Sequence, residues 1–271
     1  MESADRATAA AEADRNRGAQ TLAGRRVLVT GASSGLGEHF ARLCASHGAR
    51  VAVAARRRDR IEALAQSLAD VSGAEAAGFS LDVTDKDAVD ACVAGVVDRF
   101  GGIDVLVNNA GISGAGPALD QERGTFDHVI DTNLRGVWAM ALAAAESMRR
   151  EGTGGSIVNI ASILGFRQAT GLAAYSVSKA GVVQMTKALA LEWARYGIRV
   201  NGLAPGYFET EINTGFFETE AGERMMKRIP MRRLGRLEDL DAPFLLLAGD
   251  GSAFMTGTIL TVDGGHLLSN L

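Results

Sequence analysis

The stretch Arg25-Arg-Val-Leu-Val-Thr-Gly-Ala-Ser-Ser-Gly-Leu-Gly37 decides the fold. Its first six residues, RRVLVT, read as a strand centred on the apolar Val27-Leu-Val29. The rest is a glycine-rich turn that opens an amphipathic stretch running to about His47. Strand, tight turn and helix in that order make the first half of a βαβ unit. Gly31, Gly35 and Gly37 permit the turn, let backbone approach a ligand closely, and let helix pack on strand. Ser33, Ser34 and Leu36 fill the places between them. Free N–H groups and a positive dipole end at the helix start suit a pyrophosphate. The spacing is G-x-x-x-G-x-G, not the commoner G-x-G-x-x-G.

The same alternation continues outward. RVAVA (50–54), AAGFSL (76–81), IDVLVNNA (103–110), GSIVNIAS (155–162), IRVNGLAP (198–205) and GTILTVDGG (257–265) read as strands. Helical patterns lie between them, including long ones from near Thr125 to Arg149 and from Ala173 to Tyr196. Continuous Val/Ile/Leu strands alternating with helices predict a parallel sheet covered on both faces, a doubly wound α/β fold of three layers. Residues 1–22 mix alanine with charge and read as a disordered tail. Residues 23–271, without a Pro- or Gly-rich linker, read as one domain. A net charge of -4 in 271 residues leaves no basic footprint for nucleic acid. No apolar run reaches membrane-spanning length. Cys44 and Cys92 stand apart and read as free thiols, which suits a reducing, cytoplasmic setting. The histidines at 39, 47, 128 and 266 form no ligand spacing, so no metal is expected.

Chemistry is carried by Tyr175 and Lys179, four residues apart and so on one helix face. A tyrosine ionises near pH 10, and an adjacent ammonium favours its phenolate and lowers that value. Alone, such a pair is common on solvated helices; its place after the strand ending in Ser162 gives it meaning.

Taken together, Thr30-Gly-Ala-Ser-Ser-Gly-Leu-Gly37, Asn108-Asn-Ala-Gly111, Asn133, Ser162, and Tyr175 with Lys179 resemble the short-chain dehydrogenase/reductase family. Asp82-Val83 and Pro205-Gly206 match it too, and the likeness runs from residue 24 to 265. The resemblance implies a Rossmann-type sheet of order 3-2-1-4-5-6-7 and a nicotinamide cofactor. It makes Ser162 the donor to the substrate oxygen, Tyr175 the general acid/base, and Lys179 both the group that lowers the tyrosine pKa and a hand on the nicotinamide ribose. Asn133 would hold a water linking Lys179 to solvent; without the family it reads equally as a core polar residue. Asp82 and Val83 would hold the adenine, although a structural role for Asp82, with Asp85 as helix cap, fits locally. Asn109 and Gly111 would line the ribose, and Pro205, Gly206, Phe208 and Thr210 would meet the carboxamide.

The slot that holds an acid in NAD-binding strands is Ala55, followed by Arg56, Arg57 and Arg58. Arginines oppose the dipole at a helix start, whereas a 2′-phosphate gives them a purpose. By resemblance Arg56 sits where NADP users carry arginine, so NADP(H) is expected, with NAD(H) possible. Ser34 stands where many NADP users carry a second basic residue. Residues 207–232 are expected to form a substrate lid, or else a helical pair packed on the core. Ile163, Leu164, Phe166, Phe216 and Phe217 suggest an apolar pocket, and Arg167 or Lys227 could meet an acidic substrate tail or lie on the surface. The expected activity is hydride transfer on a secondary alcohol/ketone, by a homotetramer or homodimer. The alternatives are a 3-oxoacyl-thioester reductase and a non-catalytic dinucleotide-binding regulator.

Overall fold

A computed structural model describes residues 21–208 and 219–269. Seven parallel strands are present: β1 (Arg26–Thr30), β2 (Arg50–Ala55), β3 (Ala76–Ser80), β4 (Val105–Asn108), β5 (Gly155–Ile160), β6 (Ile198–Pro205) and β7 (Ile259–Val262). They form one sheet in the expected order, β3-β2-β1-β4-β5-β6-β7. Between them lie α1 (Gly35–Ser46), α2 (Arg58–Ser72), α3 (Lys86–Phe100), α4 (Gly124–Ile130), α5 (Gly136–Glu151), α6 (Ala173–Trp193), α7 (Glu220–Met226) and α8 (Asp241–Ala248).

Alternate strand residues point to opposite faces, so the sheet divides two apolar cores. Leu28, Ala52 and Leu106 pack with Val89, Met140 and Val182 from α3, α5 and α6. Val27, Val29 and Val53 pack with Phe40, Ile61 and Phe244 from α1, α2 and α8. β1 pairs with β2 on one side and with β4 on the other. The connection reverses there, and loops after β1 and β4 diverge to leave a crevice at the strand ends.

Several boundaries differ from the sequence expectation. Leu22, placed in the tail, is fully buried, so the packed region begins before residue 23. The long helix expected from Thr125 is interrupted by a π-helical turn, Asp131–Arg135, between α4 and α5. β5 stops at Ile160, which leaves Ser162 just beyond the sheet. The sequence reading missed α8. It is short and apolar on all sides, so it lacks a 3.6-residue stripe, and Pro243 sits in its first turn, where no helical N–H is lost. Its Phe244 stacks on Phe40 with centroids 4.4 Å apart. No helix among the described residues is long and apolar enough to cross a membrane.

Candidate active site

A cleft of about 680 Å³ opens at the carboxyl ends of the strands. Gly31, Ser33, Ser34, Gly35 and Leu36 form one wall. Gly31 has φ +64°, and a Cβ there would lie 2.8 Å from the Ala110 Cα, so only glycine fits the turn. Gly35 has φ +59° and no atom within 4 Å of its missing Cβ, which leaves room beside the start of α1. Ser34 is the N-cap of α1, yet its hydroxyl makes no capping bond to the helix. The first-turn N–H groups thus have no side-chain acceptor and suit an anion. Gly37 does not line the cleft. Its missing Cβ would stand 2.4 Å from both Asn109 Nδ2 and the Gly31 oxygen, so it serves the packing of helix on loop.

The Thr30 hydroxyl donates to the Val107 carbonyl (3.2 Å) and accepts from the N–H groups of Asn109 (3.0 Å) and Ala110 (3.2 Å). Asn109 Nδ2 donates to the Thr30 and Gly31 carbonyls at 3.1 and 3.2 Å. Asn109 and Gly111 line the cleft as expected, but the Asn109 amide is engaged in fastening the glycine turn.

Arg56, Arg57, Asp82 and Val83 form the opposite end of the cleft. Asp82 accepts from the Thr84 N–H (3.0 Å) and hydroxyl (2.7 Å). Those bonds, chiefly the backbone one, hold its carboxyl below its usual range despite partial burial, and the Arg56 charge acts the same way. Asp85 caps α3 by accepting from the N–H groups of Asp87 and Ala88, which leaves Asp82 out of the cap. Of the neighbouring arginines, Arg58 is paired with Glu62 at 2.7 Å. Arg57, which the sequence reading did not assign, reaches back to the glycine loop. Its Nη2 lies 2.7 Å from the Ser33 hydroxyl and 2.9 Å from that of Ser34.

Ser162, Tyr175 and Lys179 meet at the far wall with Pro205, Gly206 and Phe208. The Ser162 hydroxyl accepts from the Leu164 N–H at 3.1 Å, and the Ser162 side chain acts on the Tyr175 phenol to favour its charged form. Lys179 Nζ donates to the Ile160 carbonyl at 2.7 Å and lies 5.6 Å from the Tyr175 ring centroid. One expectation is corrected here. Burial raises the Tyr175 pKa above its ordinary value, Ser162 only partly offsets this, and Lys179 does not reverse it. Burial also brings the Lys179 ammonium down to about 8. Both groups are desolvated, and each disfavours its charged form.

Asn133 lies in the π turn, completely buried. Its Oδ1 accepts from the Ile112 N–H at 2.8 Å, and its Nδ2 donates to the Ile112 carbonyl at 2.9 Å and the Ser178 hydroxyl at 3.1 Å. The Ser178 hydroxyl in turn donates to the Tyr175 carbonyl at 2.7 Å. Through these bonds the Asn133 side chain ties the loop after β4 to α6. Single-turn π insertions commonly occur at functional sites, and no apolar periodicity reveals one in advance.

Thr210, Phe216 and Phe217 lie outside the described residues, as does most of the expected lid. Ile163 and Leu164 are buried beneath the cleft and do not line it, which removes them from the expected apolar pocket. Ile112, Ser113, Thr132 and Tyr207 do line it, and none was read as a site residue from the sequence. Arg167 is half-buried and donates to the His266 carbonyl at 2.6 Å.

A family model described as enoyl-(acyl carrier protein) reductase matches residues 31–266. Gluconate 5-dehydrogenase of Gluconobacter oxydans is 38% identical over 250 residues, covering 92% of this chain and 97% of the relative. A 3-oxoacyl-[acyl-carrier-protein] reductase of Thermotoga maritima is 37% identical over 247 residues, covering 91% and 99%. The solved structure of a gluconate 5-dehydrogenase from Burkholderia cenocepacia in complex with NADP and tartrate is similar with a TM-score of 0.88. It is 36% identical and covers 93% of this chain and 98% of that one. With its strand order and the convergence of Ser162, Tyr175 and Lys179 on one cleft, the chain belongs to the short-chain dehydrogenase/reductase family of oxidoreductases.

Proposed function

We propose that the protein transfers hydride between NADP(H) and a secondary alcohol/ketone, with Tyr175 as general acid/base. The observation that carries this reading is the meeting of Ser162, Tyr175 and the buried Lys179 ammonium in one cleft. The uncapped start of α1 and the open space at Gly35 fit a pyrophosphate, and Arg56 fits a 2′-phosphate. Asp82 and Val83 would seat the adenine, Asn109 and Gly111 the adjoining ribose, and Lys179 the nicotinamide ribose. Pro205, Gly206, Phe208 and Thr210 would meet the carboxamide. Bound there, the nicotinamide supplies hydride to a carbonyl or accepts it from a carbinol.

The protein supplies the rest. Ser162 donates to the substrate oxygen and stabilises its developing negative charge. Tyr175, kept protonated by burial, is poised to donate a proton to that oxygen in the reductive direction. Lys179 favours the phenolate at the moment of transfer, and Asn133 positions the loop at Ile112 and helix α6 around it.

The polar residues Ser113 and Thr132 among the cleft lining support a small polyhydroxylated substrate, such as the gluconate of the similar dehydrogenases. Reduction of a 3-oxoacyl thioester is the second reading, supported by the Thermotoga relative. The test is NADPH and NADH oxidation over sugar acids, simple ketones and acetoacetyl thioesters, with Tyr175→Phe alongside. Turnover should fall about 10²- to 10⁴-fold in that variant. Retention of full activity by Tyr175→Phe would overturn the assignment of the acid/base. A chain that binds dinucleotide but turns over none of the panel would instead favour the regulatory reading. The buried free thiols Cys44 and Cys92 support a reducing, cytoplasmic setting, which fractionation of the native cells checks. The reading includes a homotetramer or homodimer.

A further inference from the structure

Arg167 carries a charge that the proposed reaction does not use. It follows Ser162 by five residues, and the single turn Ile163–Gly165 keeps it close to that residue. The Arg167 N–H donates to the Ile163 carbonyl at 3.0 Å, which closes the turn. Its half-buried side chain reaches the turn that follows β7, where Nη1 donates to the His266 carbonyl at 2.6 Å and to the Ser269 hydroxyl at 3.4 Å. Both partners are neutral oxygens, and one nitrogen serves both. The Nε–Nη2 edge makes no hydrogen bond among the described residues. That edge is one that a carboxylate meets with two parallel hydrogen bonds.

No acid neutralises the guanidinium among the described residues. Asp263, the acid that acts on the same turn, accepts from the N–H groups of Gly265 at 2.9 Å and Leu267 at 2.7 Å instead. A second cation, Arg228 beyond α7, adds to the field: after burial, the charges of Arg167 and Arg228 both oppose protonation of His266. The buried His266 ring lies 5.4 Å, centroid to centroid, from that of Tyr207, which lines the cleft beside Gly206. Arg167 therefore stands at the substrate end of the cleft, opposite the end formed by Arg56 and Asp82. Fastening the last turn of the chain to the loop after β5 occupies one of its nitrogens and needs no charge. A half-buried cation without an acid bears a desolvation cost that an anionic ligand would offset.

We propose that Arg167 is a specificity-determining residue whose free Nε–Nη2 edge takes the carboxylate of the substrate, selecting a sugar acid over a neutral polyol. This rests on the hydride-transfer reading above and narrows its substrate class.

The test compares D-gluconate with D-glucitol, which differ only in a carboxylate against a hydroxymethyl group at one end. Each is assayed with NADP and NAD, as a substrate and as a competitive inhibitor of whichever alcohol or ketone the protein turns over best. The wild-type protein should hold gluconate about tenfold or more tighter than glucitol. Arg167→Gln should remove most of that preference, through KM or the inhibition constant and not through kcat. Arg167→Lys, which keeps the charge without the planar fork, should retain part of it. Equal loss with both compounds in Arg167→Gln overturns the proposal, because that is the mark of an anchor for the last turn of the chain. A wild-type protein that turns over alcohols or ketones but shows no preference for the acid also overturns it, and leaves the hydride-transfer reading standing. Turnover of no alcohol or ketone with either cofactor overturns both.

Discussion

Lys179 carries the clearest physical consequence at the scale of single residues. Burial lowers its pKa from 10.5 to about 8 in the folded chain. Below about pH 8 both folded and unfolded chains hold the proton, and the folded state bears the full penalty of a buried ammonium. Between about 8 and 10.5 the unfolded chain binds more protons, so stability rises with pH through that window. Above it the penalty is gone. Lys179→Met should therefore stabilise the free protein at pH 7, by up to about 3 kcal/mol, while abolishing turnover. Melting temperatures across pH 6–11 check this; a variant less stable than wild type at pH 7 would refute it. The identity of this residue is legible from its spacing to Tyr175. The direction of both pKa values is not, because desolvation depends on how Ile160, Ser162 and α6 close around the pair.

At the scale of elements, the contact of α1 with the glycine turn is a tight constraint near the cleft. Gly37 faces Asn109 Nδ2 and the Gly31 carbonyl at distances no Cβ tolerates, and the Asn109 amide is already bonded to that loop. Gly37→Ala should force the turn and helix apart. The expected loss is about 1–3 kcal/mol of stability, with dinucleotide affinity falling as well. Thermal unfolding and a fluorescence titration read both, and an unchanged melting temperature with unchanged affinity would contradict the packing argument. The sequence placed the glycines correctly because strand, turn and helix are local signals. The π turn at Asn133 and the short helix α8 escaped it, since neither carries a helical stripe.

At the scale of the whole molecule, apolar side chains are left on the outer faces of α4, α5 and α6. Phe126, Trp138 and Val177 are each about half exposed, and Leu142 is 40% exposed. Exposed apolar surface of this kind commonly marks an interface. The 28.3 kDa chain is expected to assemble through these helices as a homotetramer or homodimer. Sedimentation equilibrium should give two or four times that mass, and Trp138→Glu should shift it downward. A monomer at micromolar concentration would count against the assembly.

The sequence by itself determined the sheet, its strand order through the family pattern, and the convergence of Ser162, Tyr175 and Lys179, because apolar runs, turn glycines and four-residue spacings act locally. The tertiary structure decided what depends on distance across the chain. It brought Arg57 onto Ser33 and Ser34, more than twenty residues away, and turned the Asn133 amide to Ile112 and Ser178. It drew Leu22 into the core and buried Lys179 beneath Tyr175 at the cleft wall. Burial is set by everything that packs around a group, and no spacing within one segment encodes it.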